Sequence, residues 1–150
     1  MTALTLAKPD DLDRLLPMVV SRRAEAGDTE NDATMRNALG PLLDGSPHGA
    51  IYLIGPPRAP IGYVVLSFGW SLAAGGLTGR IDEMHIRRAV RGRGIGAEVL
   101  ASLPRALAGA GLRALEVEIG REDARTRALF VRQRFQARED RVTLRLALHR

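Results

Sequence analysis

The chain has 150 residues, of which 45% are hydrophobic, and its formal net charge is +5. This length and apolar content predict one folded domain, residues 1–150, and exclude a disordered chain. The sequence has no cysteine, which excludes disulfides, thiolate metal sites and a thiol nucleophile, and we expect no metal site. The N-terminal sequence is not typical of a signal peptide and no stretch is apolar enough to span a membrane, so we expect a cytoplasmic protein.

The basic character comes almost entirely from arginine, since Lys8 is the single lysine. A basic chain could attract nucleic acid, anionic lipid or a phosphorylated small molecule. The low aromatic content, 4%, and the lack of a basic helix argue against nucleic acid as the partner. The densest group of arginines surrounds a glycine turn and consists of Arg87, Arg88, Arg91 and Arg93.

The first half of the chain predicts two helices followed by a hairpin. Asp10 is a suitable N-cap for the first helix, because apolar residues then follow at helical spacing. Three prolines among residues 56–60 predict the hairpin turn, because proline cannot donate to a strand ladder. The predicted elements are a strand over 2–7, helices over 10–26 and 33–43, and hairpin strands over 50–54 and 61–68.

The second half predicts strands that alternate with helices. The clearest strand is "LRALEVEI", in which apolar residues occupy every second position. The predicted elements are a strand over 80–86, a turn over 87–96, a helix over 97–108, a strand over 112–119, a helix over 123–134 and a last strand over 142–149. This order indicates a mixed α/β (α+β) domain.

The glycine turn predicts an anion site. It lies between a strand and a helix, and the first turn of a helix presents unpaired N–H groups and the positive end of the helix dipole. Glycines allow an anion to approach the backbone closely, and phosphate is the usual guest. A P-loop is excluded because no Gly-Lys-Ser/Thr follows, and a dinucleotide fingerprint fits poorly because the third glycine comes one position early.

Arg91-Gly92-Arg93-Gly94-Ile95-Gly96 matches the Arg/Gln-x-x-Gly-x-Gly/Ala pattern and resembles the pyrophosphate loop of the GCN5-related N-acetyltransferases, the GNAT superfamily. The resemblance extends over nearly the whole chain. "IDEMHIRRAVRGRGIGAEVL" looks like the acyl-CoA-binding core, and "ALFVRQRF" looks like the late helix of the family. The resemblance implies a mixed, mostly antiparallel central sheet flanked by helices.

The resemblance also implies the function: transfer of an acetyl group from acetyl-CoA to a primary amine of a small molecule or peptide. Transfer without an acyl-enzyme agrees with the absence of cysteine. Backbone amides of the turn are expected to hold the pyrophosphate, two arginines to add charge, and the edge of the preceding strand to pair with the pantetheine. The expected cofactor-binding residues are Met84, His85, Ile86, Arg91, Gly92, Arg93, Gly94, Ile95, Gly96, Asp123 and Phe130.

The reaction needs a base, because an alkyl amine with a pKa of about 10.4 is almost entirely protonated at neutral pH. Asp82 and Glu83 lie on the strand that enters the turn, and strict alternation predicts that they point to opposite faces. By resemblance, Asp82 is expected to be the catalytic base and Glu83 to contact the substrate cation. The alternative for each is an ion pair with a neighbouring arginine, and His85 is interpreted as a core or surface histidine.

Three departures from the family pattern weaken the late helix as a catalytic element. Phe130 stands where a tyrosine often protonates the leaving thiolate, Asp123 where an asparagine is common, and Arg134 where a glycine precedes the last phenylalanine. Because a phenyl ring cannot donate a proton, Phe130 leaves open a second function, that of a non-catalytic acyl-CoA-binding regulatory module. A homodimer, with the last predicted strand paired across subunits, is also left open.

Overall fold

The computed structural model describes residues 2–28 and 31–148. Five strands and four α-helices follow one another in the described chain. They are β1 (Leu4–Leu6), α1 (Leu12–Glu25), α2 (Asp32–Leu43), β2 (Gly49–Ile54), β3 (Gly62–Ser71), β4 (Gly76–Ile86), α3 (Ile95–Ala106), β5 (Ala114–Val117) and α4 (Ala124–Arg132).

All five strands form one mixed sheet in the order β1-β2-β3-β4-β5. The first four are antiparallel neighbours, whereas β5 runs parallel to β4. The parallel pair needs a crossover, which α3 supplies. A mostly antiparallel sheet flanked by helices confirms the predicted fold class.

Two hydrophobic clusters lie on opposite faces of the sheet. Successive residues of β3 alternate between them, so that Tyr63 and Val65 face α1 and α2 while Val64 and Leu66 face α3 and α4. All four of these side chains are buried. The central position of β3 explains this unbroken apolar run, because both of its faces are covered.

Strands β3 and β4 form a second hairpin and extend beyond the predicted strands 61–68 and 80–86. Their ladder continues to the pairs Trp70–Leu77 and Ser71–Gly76, so the glycine-rich stretch between the two predicted strands forms the hairpin tip. Glycine weakens strand propensity, which hides such a segment from pattern analysis. Trp70 at this tip is 74% exposed.

The predicted last strand, 142–149, is wrong over its described part. Residues 142–148 pair with no described strand, and His149 lies outside the described residues. A side-chain hydrogen bond joins this segment to the residue after β5, since Thr143 Oγ1 donates to Glu118 Oε2 at 3.1 Å. The aliphatic positions are exposed, Leu144 by 91%. Alternation indicates an extended backbone, but it contains no information about a pairing partner.

Helix α4 ends in a Schellman motif that places a non-glycine residue in the left-handed region. The N–H of Phe135 donates to Phe130 O at 3.1 Å and that of Arg134 to Val131 O at 3.0 Å, and the two phenyl rings meet edge to face. Arg134 has φ 72°, the one positive φ outside glycine among the described residues. The family pattern has glycine here because this motif favours it.

We predict that Arg134→Gly stabilises the protein. The left-handed conformation costs a non-glycine residue about 1–2 kcal/mol, and the greater entropy of glycine in the unfolded chain recovers part of that. The expected gain in unfolding free energy is about 0.5–1 kcal/mol, measured by urea denaturation. The matched control is Arg132→Gly inside α4, which should lose about 1 kcal/mol. Equal losses for both variants would contradict this interpretation.

Candidate functional site

A β-bulge in β4 shapes the centre of the molecule. Val65 pairs with Glu83 and Leu66 pairs with Ile81, so Asp82 is the extra residue. A bulge re-aims the side chains around it, and here Ile81 and Met84 pack against the same cluster although three positions separate them. The strict alternation that predicted opposite faces for the two acids therefore does not hold through this segment.

A cleft of about 550 Å³ opens where β4 and β5 separate. The parallel ladder ends at the pair Ile81–Val117, so residues 82–86 of β4 pair with no described strand on that side. The cleft lies between these residues, the end of α1 and the start of α4. It brings together eight predicted site residues: Asp82, Glu83, Met84, His85, Ile86, Arg91, Asp123 and Phe130.

The glycine turn adjoins this cleft. Gly92 and Gly94 have φ values of 81° and 78°, and a Cβ atom on either would meet nothing within 4 Å. Glycine is favoured at position 96 for a different reason, since a Cβ atom there would lie 3.2 Å from Leu129 Cδ2 of α4. The turn combines two left-handed residues beside open space with one point of close helix packing.

Helix α3 begins at Ile95, two residues earlier than predicted, with Gly94 as its N-cap. A glycine cap offers no side-chain acceptor, so the first amides of the helix are not capped from within the turn. The N–H groups of Ile95, Gly96 and Ala97 come before the first intrahelical bond, which Glu98 makes to Gly94 O. These amides and the helix dipole favour an anion.

The two candidate acids have different surroundings. Glu83 accepts a hydrogen bond from Tyr63 Oη at 2.8 Å and one from Arg23 Nη1 at 3.2 Å. Burial, together with the charge of Glu83 and the hydrogen bond to it, raises the pKa of Tyr63. Asp82 is exposed and has no hydrogen bond or ion pair within the described part of the chain. Both carboxylates line the cleft, and Asp82 is the one without a protein partner among the described residues.

A second cluster joins the end of α1 to β4 and the turn. Arg91 Nη2 donates to both carboxylate oxygens of Glu25, at 2.9 and 3.0 Å, and Arg91 Nε donates to Ile86 O at 2.7 Å. Burial raises the pKa of Glu25, but hydrogen bonds and charge from Arg91 outweigh this and lower it overall. Sequence reasoning missed Glu25 and Arg22 of the cleft wall, because no motif marks the last turn of α1.

His85 is buried beside this cluster, with 4% of its surface exposed. Its Nδ1 lies 3.4 Å from Arg91 Nη2, and its ring lies 5.7 Å from that of Tyr63. Burial lowers the pKa of His85; the charge of Glu25 raises it, and the charge of Arg91 lowers it further. Arg22 and Arg87 act in the same direction as Arg91. The surroundings therefore favour the neutral imidazole.

The start of α4 explains one departure from the family pattern. Asp123 Oδ1 accepts the backbone N–H of Thr126 at 3.1 Å, so Asp123 caps the helix. Hydrogen bonding from the Thr126 side chain, and then from its backbone N–H, lowers the pKa of Asp123. Aspartate and asparagine are equally good N-caps. Phe130 is buried, with 4% of its surface exposed, although part of it lines the cleft.

Two kinds of feature are absent from residues 2–28 and 31–148. No cluster of three or more His, Cys, Asp or Glu residues is placed to hold a metal ion there. No helix in that part of the chain has the length and apolar character needed to cross a membrane.

The separation of β4 from β5 and the glycine turn beside the resulting cleft define an acyltransferase-like class of protein. The model of the Acetyltransferase (GNAT) family matches residues 16–135, and the chain belongs to this family. The predicted resemblance is thereby confirmed. Acetyl-CoA is the acetyl donor that this family generally uses. A search of the curated proteins finds no significant match.

Solved structures agree with this assignment of the fold. An integron cassette protein from the mobile metagenome of Cole Harbour Salt Marsh is 29% identical, with TM-score 0.84, over 98% of this chain and 91% of that one. A ribosomal-protein-alanine N-acetyltransferase from Brucella melitensis is 15% identical, with TM-score 0.76, over 99% and 100%. A "predicted acetyltransferase with acetyl-CoA" from Clostridium acetobutylicum is 17% identical, with TM-score 0.77, over 99% of both chains.

We predict that His85 makes stability fall as the pH drops below about 6.5, the ordinary histidine pKa. Because the folded-state pKa is lowered, the unfolded chain takes up the proton first, so stability is present above pH 6.5 and is lost as the pH falls toward the folded pKa. In urea denaturation between pH 7.5 and 5.5, His85→Gln should show a smaller loss than the wild type. An unchanged loss in the variant would contradict the prediction.

Proposed function

We propose that the protein transfers the acetyl group of acetyl-CoA directly to a primary amine of a small molecule or peptide, without an acyl-enzyme. The observation that supports this proposal best is Asp82, a carboxylate in the cleft between β4 and β5 that has no partner in the part of the chain that the structure describes. The cleft has room for an acceptor, and the glycine turn lies at its side. Acetyl-CoA supplies the acetyl group there as a reactive thioester.

The turn fits a diphosphate. A Cβ atom at Gly92 or Gly94 would occupy open space, so the backbone is accessible from that side. The free amides at the start of α3 would hold the diphosphate together with backbone amides of residues 92–96, and the exposed Arg93 would add charge. The open edge of β4 at residues 84–86 would pair with the pantetheine amides as a strand does.

Asp82 is the proposed base. An amine with a pKa of about 10.4 must lose a proton before attack, which costs on the order of 4 kcal/mol at pH 7. A carboxylate acting directly or through one water can accept that proton. Glu83 is a weaker candidate for this step, because its oxygens already accept from Tyr63 and Arg23. Its proposed role stays a charge contact with the acceptor at the rim of the cleft.

Protonation of the leaving thiolate needs no side chain in this proposal. Phe130 has no proton to give, and Tyr63 donates its hydroxyl proton to Glu83. Thiols have an ordinary pKa of about 8.5, so a thiolate is a tolerable leaving group that water can protonate. The late helix then contributes packing and the wall of the cleft rather than a proton.

The second candidate is a non-catalytic acyl-CoA-binding regulatory module, which Phe130 favours. For the acetyltransferase, the proposed partners are acetyl-CoA and the amine acceptor. We propose no nucleic acid or membrane as a partner, and a cytoplasmic location. A homodimer is supported by the exposed aliphatic side chains of the C-terminal segment. Apolar patches of this kind are more often covered than left in water.

We predict that Asp82→Asn lowers kcat by about 10²–10⁴-fold, because asparagine keeps the shape but cannot accept a proton. Thiol release from acetyl-CoA over a panel of primary amines measures the rate, and calorimetry should show unchanged affinity for coenzyme A. The matched control is Glu122→Gln, which removes an exposed carboxylate outside the cleft and should keep the wild-type rate.

Two outcomes would go against this proposal. A wild-type rate in Asp82→Asn would remove Asp82 from the role of base. Tight binding of coenzyme A, with no thiol release from any amine, would favour the regulatory module.

A further inference from the structure

We propose that Arg91 is a positioning residue, which joins the last turn of α1 to the glycine turn through Glu25, and that it is not a ligand of the diphosphate. Arg93 then supplies the side-chain charge at the phosphate site. This inference rests on the proposed function for the identity of the ligand. It differs from the role that the resemblance gave to Arg91.

The hydrogen bonds of Arg91 carry the inference. Its Nη2 reaches both oxygens of Glu25, at 2.9 and 3.0 Å, and its Nε reaches Ile86 O at 2.7 Å. Glu25 is the last residue of α1 and Ile86 the last residue of β4, while Arg91 precedes the first glycine of the turn. One guanidinium therefore holds three chain segments at the edge of the cleft.

A second ion pair ties the same turn of α1 to β4. Arg23 Nη1 lies 3.2 Å from Glu83 Oε2, and Arg23 Nη2 lies 2.8 Å from Asp28 Oδ2. The backbone then folds back, since the N–H of Asp28 donates to Arg23 O at 2.8 Å. Glu25 and Ala26 of this turn line the cleft. The ion pairs Arg91–Glu25 and Arg23–Glu83 therefore hold this wall of the cleft in position.

A phosphate that took Nη2 or Nε of Arg91 would disrupt this arrangement. These atoms would have to leave the carboxylate of Glu25 or the carbonyl of Ile86, which would then need a new partner. The negative charge of Glu25 also offsets the positive charge of Arg91, so the ion pair adds little to the attraction of a phosphate. Arg93 is exposed between two left-handed glycines and has no hydrogen bond or ion pair in the described part of the chain.

Four variants of the full chain separate the two roles: Glu25→Gln, Arg91→Gln, the double variant and Arg93→Gln. Coenzyme A affinity is measured by calorimetry over a series of salt concentrations. Arg93→Gln should weaken binding about tenfold and flatten its salt dependence, because one screened charge contact is lost. Arg91→Gln and Glu25→Gln should weaken binding less than about threefold and keep the wild-type slope, because neither side chain contacts the phosphates.

Amide hydrogen exchange of residues 21–28 without ligand gives the second readout. Glu25→Gln and Arg91→Gln should each accelerate exchange there, by about tenfold, and the double variant no further, because both remove the same contact. Arg93→Gln should leave exchange unchanged. Arg91→Lys, which keeps a charge opposite Glu25, should restore part of the protection.

Three results would overturn the inference. They are a flattened salt dependence in Arg91→Gln, tighter coenzyme A binding in Glu25→Gln through release of Arg91, and additive effects on exchange in the double variant. Failure of the proposed function is distinguishable, because it would appear in the wild type, either as absent coenzyme A binding or as binding without thiol release from any amine. The exchange measurements test the contact between Glu25 and Arg91 in either case.

Discussion

The separation of β4 from β5 is the constraint on which the site depends. Two parallel strands share a ladder up to Ile81 and Val117 and then diverge, so the last residues of β4 keep a free edge inside the molecule. Such an edge requires a ligand or a covering element to satisfy its backbone groups. The bulge at Asp82 lies at the same point and places a carboxylate beside the opening.

The sequence predicted the parts of this arrangement that local chemistry determines. Gly92 and Gly94 have the positive φ that a turn before a helix requires, and only glycine adopts it without strain. Alternation and helical periodicity predicted the order of elements apart from the last strand, and the resemblance to the family implied the mixed sheet. Asp82 and Glu83 lie on the strand that enters the turn and were singled out by resemblance to the family, and both line the cleft.

Contacts between distant residues could not be predicted in this way. The pairs Glu25–Arg91 and Arg23–Glu83 join residues separated by 66 and 60 positions, and nothing in the local pattern of α1 marks them. The same limit applies to the C-terminal segment, where alternation gave an extended backbone but no neighbour.

The most direct test of the central claim is an NMR titration of the protein with coenzyme A, observed at the backbone amides. The largest shifts should fall on the N–H groups of residues 92–97, because the diphosphate is expected to accept hydrogen bonds from the turn and the first residues of α3. Shifts confined to other parts of the chain, or none at saturating coenzyme A, would contradict the claim.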